Sequence, residues 1–129
     1  MKQPCTARPI AAVLSRHPDV WIMADGLYEQ IVFDADCALT LAEVAPSLKQ
    51  RTLTVGGIAK TYAMMGWRIG YAAGPSALIR EMIKIQSQIT SCASSISQAA
   101  AIVALDGPQD LLRDFEPARQ ARPLRCACE

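Results

Sequence analysis

Two short apolar runs stand out from the polar sequence around them in the first half of the chain. Val20 to Ala24 is continuously apolar and leads into Asp25, whereas Thr52 to Val55 is a β-branched run closed by Gly56 and Gly57. Runs of this length and composition favour fully buried strands, and the two glycines predict a turn that needs their backbone freedom. A helical pattern around Ile10, Val13 and Leu14 precedes the first run, an order that favours a parallel sheet.

Helical spacing dominates the rest of the chain. Trp67 to Gly74 follows the second apolar run too closely for a helical crossover of about a dozen residues, so we predict an antiparallel strand there. An amphipathic helix is predicted from Ser76, and Ser95 with Gln98 fits the capping box of a second helix. The remaining predictions are a helical turn at Thr40 to Val44, a short strand or loop edge at Ile31 to Phe33, a solvated turn at Asp34 and Asp36, and a third helix from Leu111.

Composition limits the classes of function that are open. The 129 residues suffice for one domain, and a hydrophobic fraction of 51% against 19% charged residues excludes wholesale disorder. A net charge of +1 gives no electrostatic footprint for nucleic acid or an anionic membrane, and no apolar run has the length of a membrane span. Five cysteines at irregular spacing and a single histidine, His17, argue against a disulfide framework or a metal site. We therefore predict a cytoplasmic protein that acts on small molecules.

Lys60 is the candidate reactive residue. It lies just past the second apolar run, at the edge where open α/β sheets bind ligands, among small and apolar neighbours. We expect a water-poor pocket that favours a nucleophilic amine. The simpler alternative is a lysine that extends from a loop into solvent.

Three further residues complete a constellation with Lys60. Asp25 is predicted at the same sheet edge, Tyr28 follows three residues later, and Arg68 enters the predicted antiparallel strand. Taken alone, Asp25 is equally well a loop cap and Tyr28 a packing residue. Together, an amine, a carboxylate, a phenol and a guanidinium are what a pyridoxal phosphate site requires for the aldehyde, ring nitrogen, ring oxygen and phosphate.

The segment GIAKTYAMMGWRIG, residues Gly57 to Gly70, resembles the cofactor-lysine signature of the class I aminotransferases, of the aspartate aminotransferase fold type. The likeness to that family's large domain runs nearly continuously from about Pro18 to Asp110. It implies an α/β fold in which residues 8–116 form part of a mixed, mostly parallel sheet with flanking helices. Residues 1–7 and 117–129 do not match the family pattern.

The resemblance also implies roles. Lys60 would form the Schiff base and move the substrate proton, Asp25 would pair with the pyridine nitrogen, Tyr28 with the 3′ oxygen, and Arg68 with the phosphate. The reaction implied is transfer of an amino group from an amino acid, with aspartate expected, to a 2-oxo acid, with 2-oxoglutarate expected. Family members are homodimers, and Gln86 to Ser97 falls in the segment expected near that interface.

Departures from the family keep two other hypotheses open. Gly26 stands where an acidic residue is common, and no residues match the ring-stacking aromatic, the phosphate-binding turn or the small substrate domain. The chain could therefore be a truncated, non-catalytic remnant of such an enzyme. It could also belong to a pyridoxal phosphate enzyme of the same fold with another reaction, such as decarboxylation or β-elimination.

Overall fold

A computed structural model describes residues 7–30 and 40–110 of the chain. They form a three-stranded sheet with short helices between the strands and two longer helices after them. The elements are α1 (Ala7–Leu14), β1 (Ile22–Asp25), α2 (Leu41–Val44), a 3₁₀ turn (Pro46–Arg51), β2 (Thr52–Gly57), α3 (Ile58–Thr61), a second 3₁₀ turn (Met65–Trp67), β3 (Gly70–Ala73), α4 (Ser76–Ile89) and α5 (Ser95–Asp106).

The sheet is mixed, as expected, with β2 at its centre. β1 runs parallel to β2 and pairs Ile22 with Thr52 and Asp25 with Val55. β3 runs antiparallel to β2 and pairs Gly57 with Gly70. Both the parallel pairing and the antiparallel strand after Lys60 are therefore confirmed. The 12 residues between Gly57 and Gly70 hold only α3 and the second 3₁₀ turn, so no long crossover helix connects β2 to β3.

Arg51 fixes the start of β2 against the preceding elements. Its Nη1 donates hydrogen bonds to the carbonyl oxygens of His17, at 2.7 Å, and Val20, at 2.5 Å, while Nη2 donates to Leu14 at 2.6 Å. The planar guanidinium thus bonds the last carbonyl of α1 and two carbonyls of the segment between α1 and β1. His17 contributes through its backbone and lies just beyond the end of α1.

The prediction of fully buried strands is wrong for β1. Met23 is 73% exposed and Trp21 is also exposed, whereas Ile22 and Ala24 are half-buried. A parallel strand is buried on both faces only when other elements cover both faces. Nothing in residues 7–30 or 40–110 covers the Met23 side of the strand.

The predicted helices that fall within the described residues are present, with two differences. The capping box of Ser95 and Gln98 is wrong, because Ser94 is the N-cap residue and makes no side-chain cap, while the Gln98 side chain donates to the carbonyl of Ala93 at 2.8 Å. A capping box does occur at the helical turn α2, where Thr40 and Glu43 bond reciprocally. The amphipathic helix α4 contains no buried residue among the elements described.

The interior of the described part is small. Its buried apolar side chains are Ala11, Leu48, Ile58 and Ala101, and Ile58 has no exposed surface. Ile58 opens α3, so the core lies directly beneath the turn that carries Lys60. The predicted strand at 31–33, the turn at Asp34 and Asp36 and the third helix from Leu111 lie outside the described residues.

No helix in the described ranges is both long enough and apolar enough to cross a membrane. Cys92 is an exposed free thiol, and the other four cysteines fall outside the described residues.

Candidate active site

The carboxyl ends of β1 and β2 meet at one edge of the sheet. Asp25 ends β1 beside Val55, and the backbone N–H of Gly26 donates to the carbonyl oxygen of Val55 at 2.8 Å. β2 continues two residues further to Gly57, which is the N-cap of α3. Asp25 and Lys60 therefore leave adjacent parallel strands on the same side, where α/β sheets bind ligands.

Asp25 shapes the turn that follows it. Its Oδ1 accepts a hydrogen bond from the backbone N–H of Leu27 at 3.0 Å, and Glu29 N donates to Gly26 O at 3.0 Å. The simpler interpretation of Asp25 as a loop cap thus describes a real contact. It does not exhaust the residue, because an ionised carboxylate has about four acceptor positions and this bond occupies one.

The turn brings Tyr28 to Lys60. The ammonium nitrogen of Lys60 lies 5.8 Å from the centroid of the Tyr28 ring, within the range of a cation–π interaction. Ile58 and Thr61, which lie on the same single helical turn as Lys60, are buried. Their burial anchors α3, whereas Lys60 lies on its exposed side.

Met65 connects Lys60 to Arg68. The Lys60 Nζ atom lies 4.0 Å from the Met65 sulfur, a weak acceptor, and Arg68 Nη1 donates to the Met65 carbonyl oxygen at 3.2 Å. Arg68 adopts a left-handed backbone conformation, with φ 55° and ψ 45°. Positive φ is uncommon for an arginine, and such strain collects at functional sites. Contacts therefore link three of the four predicted site residues, and Asp25 joins them through its turn.

The water-poor pocket expected around Lys60 is wrong for the residues described. Lys60, Asp25, Arg68 and Tyr28 are all exposed, Tyr28 by 58%. Apolar sequence neighbours did not produce burial because Met65 is itself exposed and covers the amine from one side only.

Gly56 and Gly57 are closely approached by neighbouring side chains. Neither has a positive φ, so the predicted need for backbone freedom is wrong. A Cβ on Gly56 would lie 2.5 Å from a carbon of the Tyr71 ring, and one on Gly57 would lie 2.9 Å from Leu27 Cδ2. The absence of side chains lets the neighbouring strand and turn close onto the end of β2.

Tyr71 is the residue near the site that sequence reasoning missed. Tyr71 is 44% exposed, and the partial burial of its ring raises the pKa of the phenol, an effect to which the nearby Glu29 and Tyr62 add. The predicted antiparallel strand could have indicated such a residue, because a strand that turns back after Lys60 must place one of its residues opposite Gly56. That residue is Tyr71.

A separate cleft of about 350 Å³ lies at the opposite end of the sheet. Thr52 and Thr54 of β2 line it together with Lys49, Gly74 and Ser76. The cleft does not include any of the four predicted site residues, so we do not assign it to the same chemistry.

The four side chains suit pyridoxal phosphate as a donor set. The exposed amine is accessible to an aldehyde, the guanidinium is available for a phosphate, and the carboxylate and phenol can pair with a protonated ring nitrogen and a ring oxygen. Among the described residues no three His, Cys, Asp or Glu side chains are grouped as a metal site requires.

Comparison with known proteins gives consistent matches. Residues 4–122 match the family model described as aminotransferase class I and II. The chain is 56% identical over 115 residues to the aspartate aminotransferase of Rhizobium meliloti, covering 89% of this chain and 28% of that protein. It is 54% identical over 113 residues to the aspartate/prephenate aminotransferase of Cereibacter sphaeroides, with 88% and 28% covered.

Solved structures agree. The crystal structure of the Rhizobium meliloti aspartate aminotransferase superimposes with a TM-score of 0.85 at 56% identity, over 88% of this chain and 28% of that one. The Thermus thermophilus aspartate aminotransferase with maleate gives 0.71 at 31% identity, over 89% and 28%. The chain thus spans little more than a quarter of the length of these relatives.

Proposed function

The chain belongs to the class I and II aminotransferase family, and on that premise we propose that it supplies the lysine-bearing wall of a pyridoxal phosphate site in an aspartate-type aminotransferase. The observation that carries the proposal is the run of contacts from the Tyr28 ring through Lys60 and Met65 to Arg68. These contacts lie beside Asp25 at the carboxyl edge of two parallel strands. A phenol, an amine and a guanidinium are thereby connected through successive contacts.

Each residue has a distinct task in this proposal. Lys60 Nζ would hold the cofactor covalently and, when free, would serve as the base for the proton on the α-carbon of the substrate. The Asp25 carboxylate would keep the ring nitrogen protonated, the Tyr28 hydroxyl would donate to the ring oxygen, and the Arg68 guanidinium would bind the phosphate. The cofactor supplies an aldehyde and an electron-accepting ring.

We propose aspartate as the amino donor and 2-oxoglutarate as the acceptor. Support for aspartate comes from the relatives, which are named aspartate aminotransferase and aspartate/prephenate aminotransferase. We also propose that two copies of the whole protein form a homodimer. The exposed side chains of Ile83, Ile85 and Ile89 on α4 provide apolar surface for such a contact.

The exposure of the site favours a second candidate for the chain acting alone. With Lys60 and Arg68 open to solvent, the chain can bind pyridoxal phosphate without exchanging amino groups. Transfer needs a group that orients the substrate carboxylate, and the four site residues are already assigned to the cofactor.

Covalent trapping tests both candidates. The purified chain is mixed with pyridoxal phosphate, reduced with borohydride and digested, and the modified lysines are identified by mass spectrometry. We expect the adduct at Lys60, its loss in Lys60→Ala, and its retention in Lys84→Ala, which removes an exposed lysine paired with Glu81 at 2.7 Å.

Amino-group exchange between aspartate and 2-oxoglutarate is then measured on the same preparation. Trapping with exchange supports the aminotransferase, and trapping without exchange supports the cofactor-binding candidate. Equal modification of Lys49, Lys60 and Lys84 would overturn the assignment of Lys60.

A further inference from the structure

Gln109 joins two elements that are distant in sequence. Its Nε2 lies 2.7 Å from the carbonyl oxygen of Gly107, 3.2 Å from that of Ala104 and 3.3 Å from that of Leu105. Its Oε1 accepts a hydrogen bond from the Tyr62 hydroxyl at 2.9 Å. Forty-seven positions separate the two residues, and both are partly buried.

We call these hydrogen bonds of Gln109 the bridge. One end of the bridge is the carboxyl terminus of α5. The last carbonyls of a helix have no partners within the helix, and a left-handed glycine often satisfies them. Gly107 does not have that conformation, since its φ is −75°. The Gln109 amide, which has two N–H donors, takes over the task. With its donors directed at α5, the amide has its oxygen left for Tyr62.

The other end of the bridge is the turn that carries Lys60. Tyr62 is the C-cap of α3, two residues after Lys60, and its backbone N–H donates to Ile58 O at 3.2 Å. A helix of four residues has little stability of its own and depends on tertiary contacts. Ile58 and Thr61 supply burial, and the Tyr62 hydroxyl supplies a directional bond to Gln109, three residues beyond the end of α5.

We propose that Gln109 is a positioning residue for Lys60, acting through Tyr62. By holding the Tyr62 side chain, Gln109 sets the orientation of α3 and keeps the Lys60 amine between the Tyr28 ring and the Met65 sulfur. The consequence for the cofactor rests on the proposed function. The consequence for the position of the amine does not.

Lys60 reactivity tests the positioning in the absence of cofactor. The full chain is treated with a limiting amount of an acylating reagent, and modification of Lys60 is measured by mass spectrometry relative to Lys84 in the same molecules. We expect Tyr62→Phe and Gln109→Leu to change this ratio about five-fold in the same direction, the factor that an ordinary net hydrogen bond carries. Because both substitutions remove the same bond, the double variant should change the ratio no further.

Tyr62→Phe separates positioning from helix capping. It removes only the hydroxyl and leaves the Gln109 amide on the α5 carbonyls, so a purely capping role for Gln109 predicts an unchanged Lys60 ratio. Gln98→Leu is the matched control, because Gln98 bonds the Ala93 carbonyl at the opposite end of α5. We expect it to leave the ratio unchanged. If Gln109→Leu fails to fold, the Lys60 acylation ratio of Tyr62→Phe alone tests the proposal.

Titration with pyridoxal phosphate gives the second measurement. We expect Tyr62→Phe to weaken cofactor binding about five-fold while trapping still maps to Lys60. If the unsubstituted chain traps no cofactor at Lys60, the proposed function fails, but the acylation ratio still tests the bridge. An unchanged acylation ratio in Tyr62→Phe would overturn the inference whatever the titration shows.

Discussion

The Tyr71 ring lies directly across Gly56. A Cβ at Gly56 would be 2.5 Å from Cε2, 2.8 Å from Cζ and 2.9 Å from the hydroxyl oxygen of Tyr71. The antiparallel register pairs these two residues, one step before the pair formed by Gly57 and Gly70. The contact fixes the end of β2 at the point where α3 and Lys60 begin.

Substitution of Gly56 by alanine should therefore destabilise the chain. The added methyl group must displace the Tyr71 ring, which is 44% exposed and can move toward solvent, so we expect a cost of about 1 kcal/mol, at the low end for overpacked sites. Urea unfolding measures the change in the free energy of unfolding. Gly66→Ala is the control, since a Cβ at Gly66 meets no atom within 4 Å. Equal losses in the two variants would show that the Tyr71 contact is not the cause. Tyr71→Leu should relieve most of the Gly56→Ala penalty.

Tyr71 also predicts a loss of stability at alkaline pH. Burial, then Glu29 and Tyr62, raise the pKa of the phenol above its ordinary value of 10.0. A pKa higher in the folded than in the unfolded state means that the neutral phenol favours folding. That contribution is fully present below pH 10.0 and is lost as the pH rises through the folded-state pKa.

Phenolate absorbance and urea unfolding across this range check the alkaline prediction. The chain has three tyrosines, so the signal of Tyr71 is obtained by difference from Tyr71→Phe. The stability of Tyr71→Phe should fall less steeply above pH 10.0. Glu29→Gln should move the pKa back toward its ordinary value, because it removes a negative charge that opposes phenolate formation. Identical pH dependence in all three proteins would contradict the prediction.

The local sequence pattern was sufficient to predict the strands that carry the candidate site. The apolar runs ending at Asp25 and Val55 gave the parallel pair and its carboxyl edge, and the short connection after Lys60 gave the antiparallel return. These features depend on residues close in sequence, where periodicity and connection length act directly.

Contacts between distant residues could not be obtained in the same way. The bond between Tyr62 and Gln109 spans 47 positions, and the packing of Tyr71 on Gly56 depends on the register of two strands. The prediction that β1 is fully buried was wrong for a related reason. A continuous apolar run indicates that a strand suits a covered position, but whether Met23 is covered depends on elements that the run itself does not encode.

Arg51 should be important for stability despite its charge. Its guanidinium bonds three carbonyl oxygens, but two of these bonds are exposed to solvent, so we expect the set together to contribute about 1.5–3 kcal/mol, as one well-shielded hydrogen bond of a charged group does. We expect Arg51→Ala to lower the free energy of unfolding by an amount in that range. Arg51→Lys should recover little, because a single ammonium lacks the planar fork that spans three acceptors. Thermal unfolding of both variants is compared with Arg80→Ala, on the exposed surface of α4. A full rescue by lysine would show that charge alone matters.

Arg68→Gly should be more stable than Arg68→Ala, although both substitutions should weaken cofactor binding. Its left-handed backbone, with φ 55°, costs a non-glycine residue about 1–2 kcal/mol. Arg68→Gly removes that cost together with the guanidinium, whereas Arg68→Ala removes the guanidinium and keeps the cost. The glycine variant should therefore be the more stable of the two in urea, and both should lose affinity for pyridoxal phosphate in a titration.

Ala63 provides the matched control for this separation. It has φ 53°, so Ala63→Gly relieves a similar backbone cost without removing a group proposed to touch the cofactor. We expect a gain in stability with cofactor affinity unchanged. If Arg68→Gly kept its affinity for pyridoxal phosphate, the phosphate would have another partner, and the strained backbone at Arg68 would have to be explained by the turn from Met65 to Trp67 alone. Loss of affinity in both Arg68 variants but not in Ala63→Gly would mean that the missing guanidinium, and not the relief of backbone strain, weakens cofactor binding.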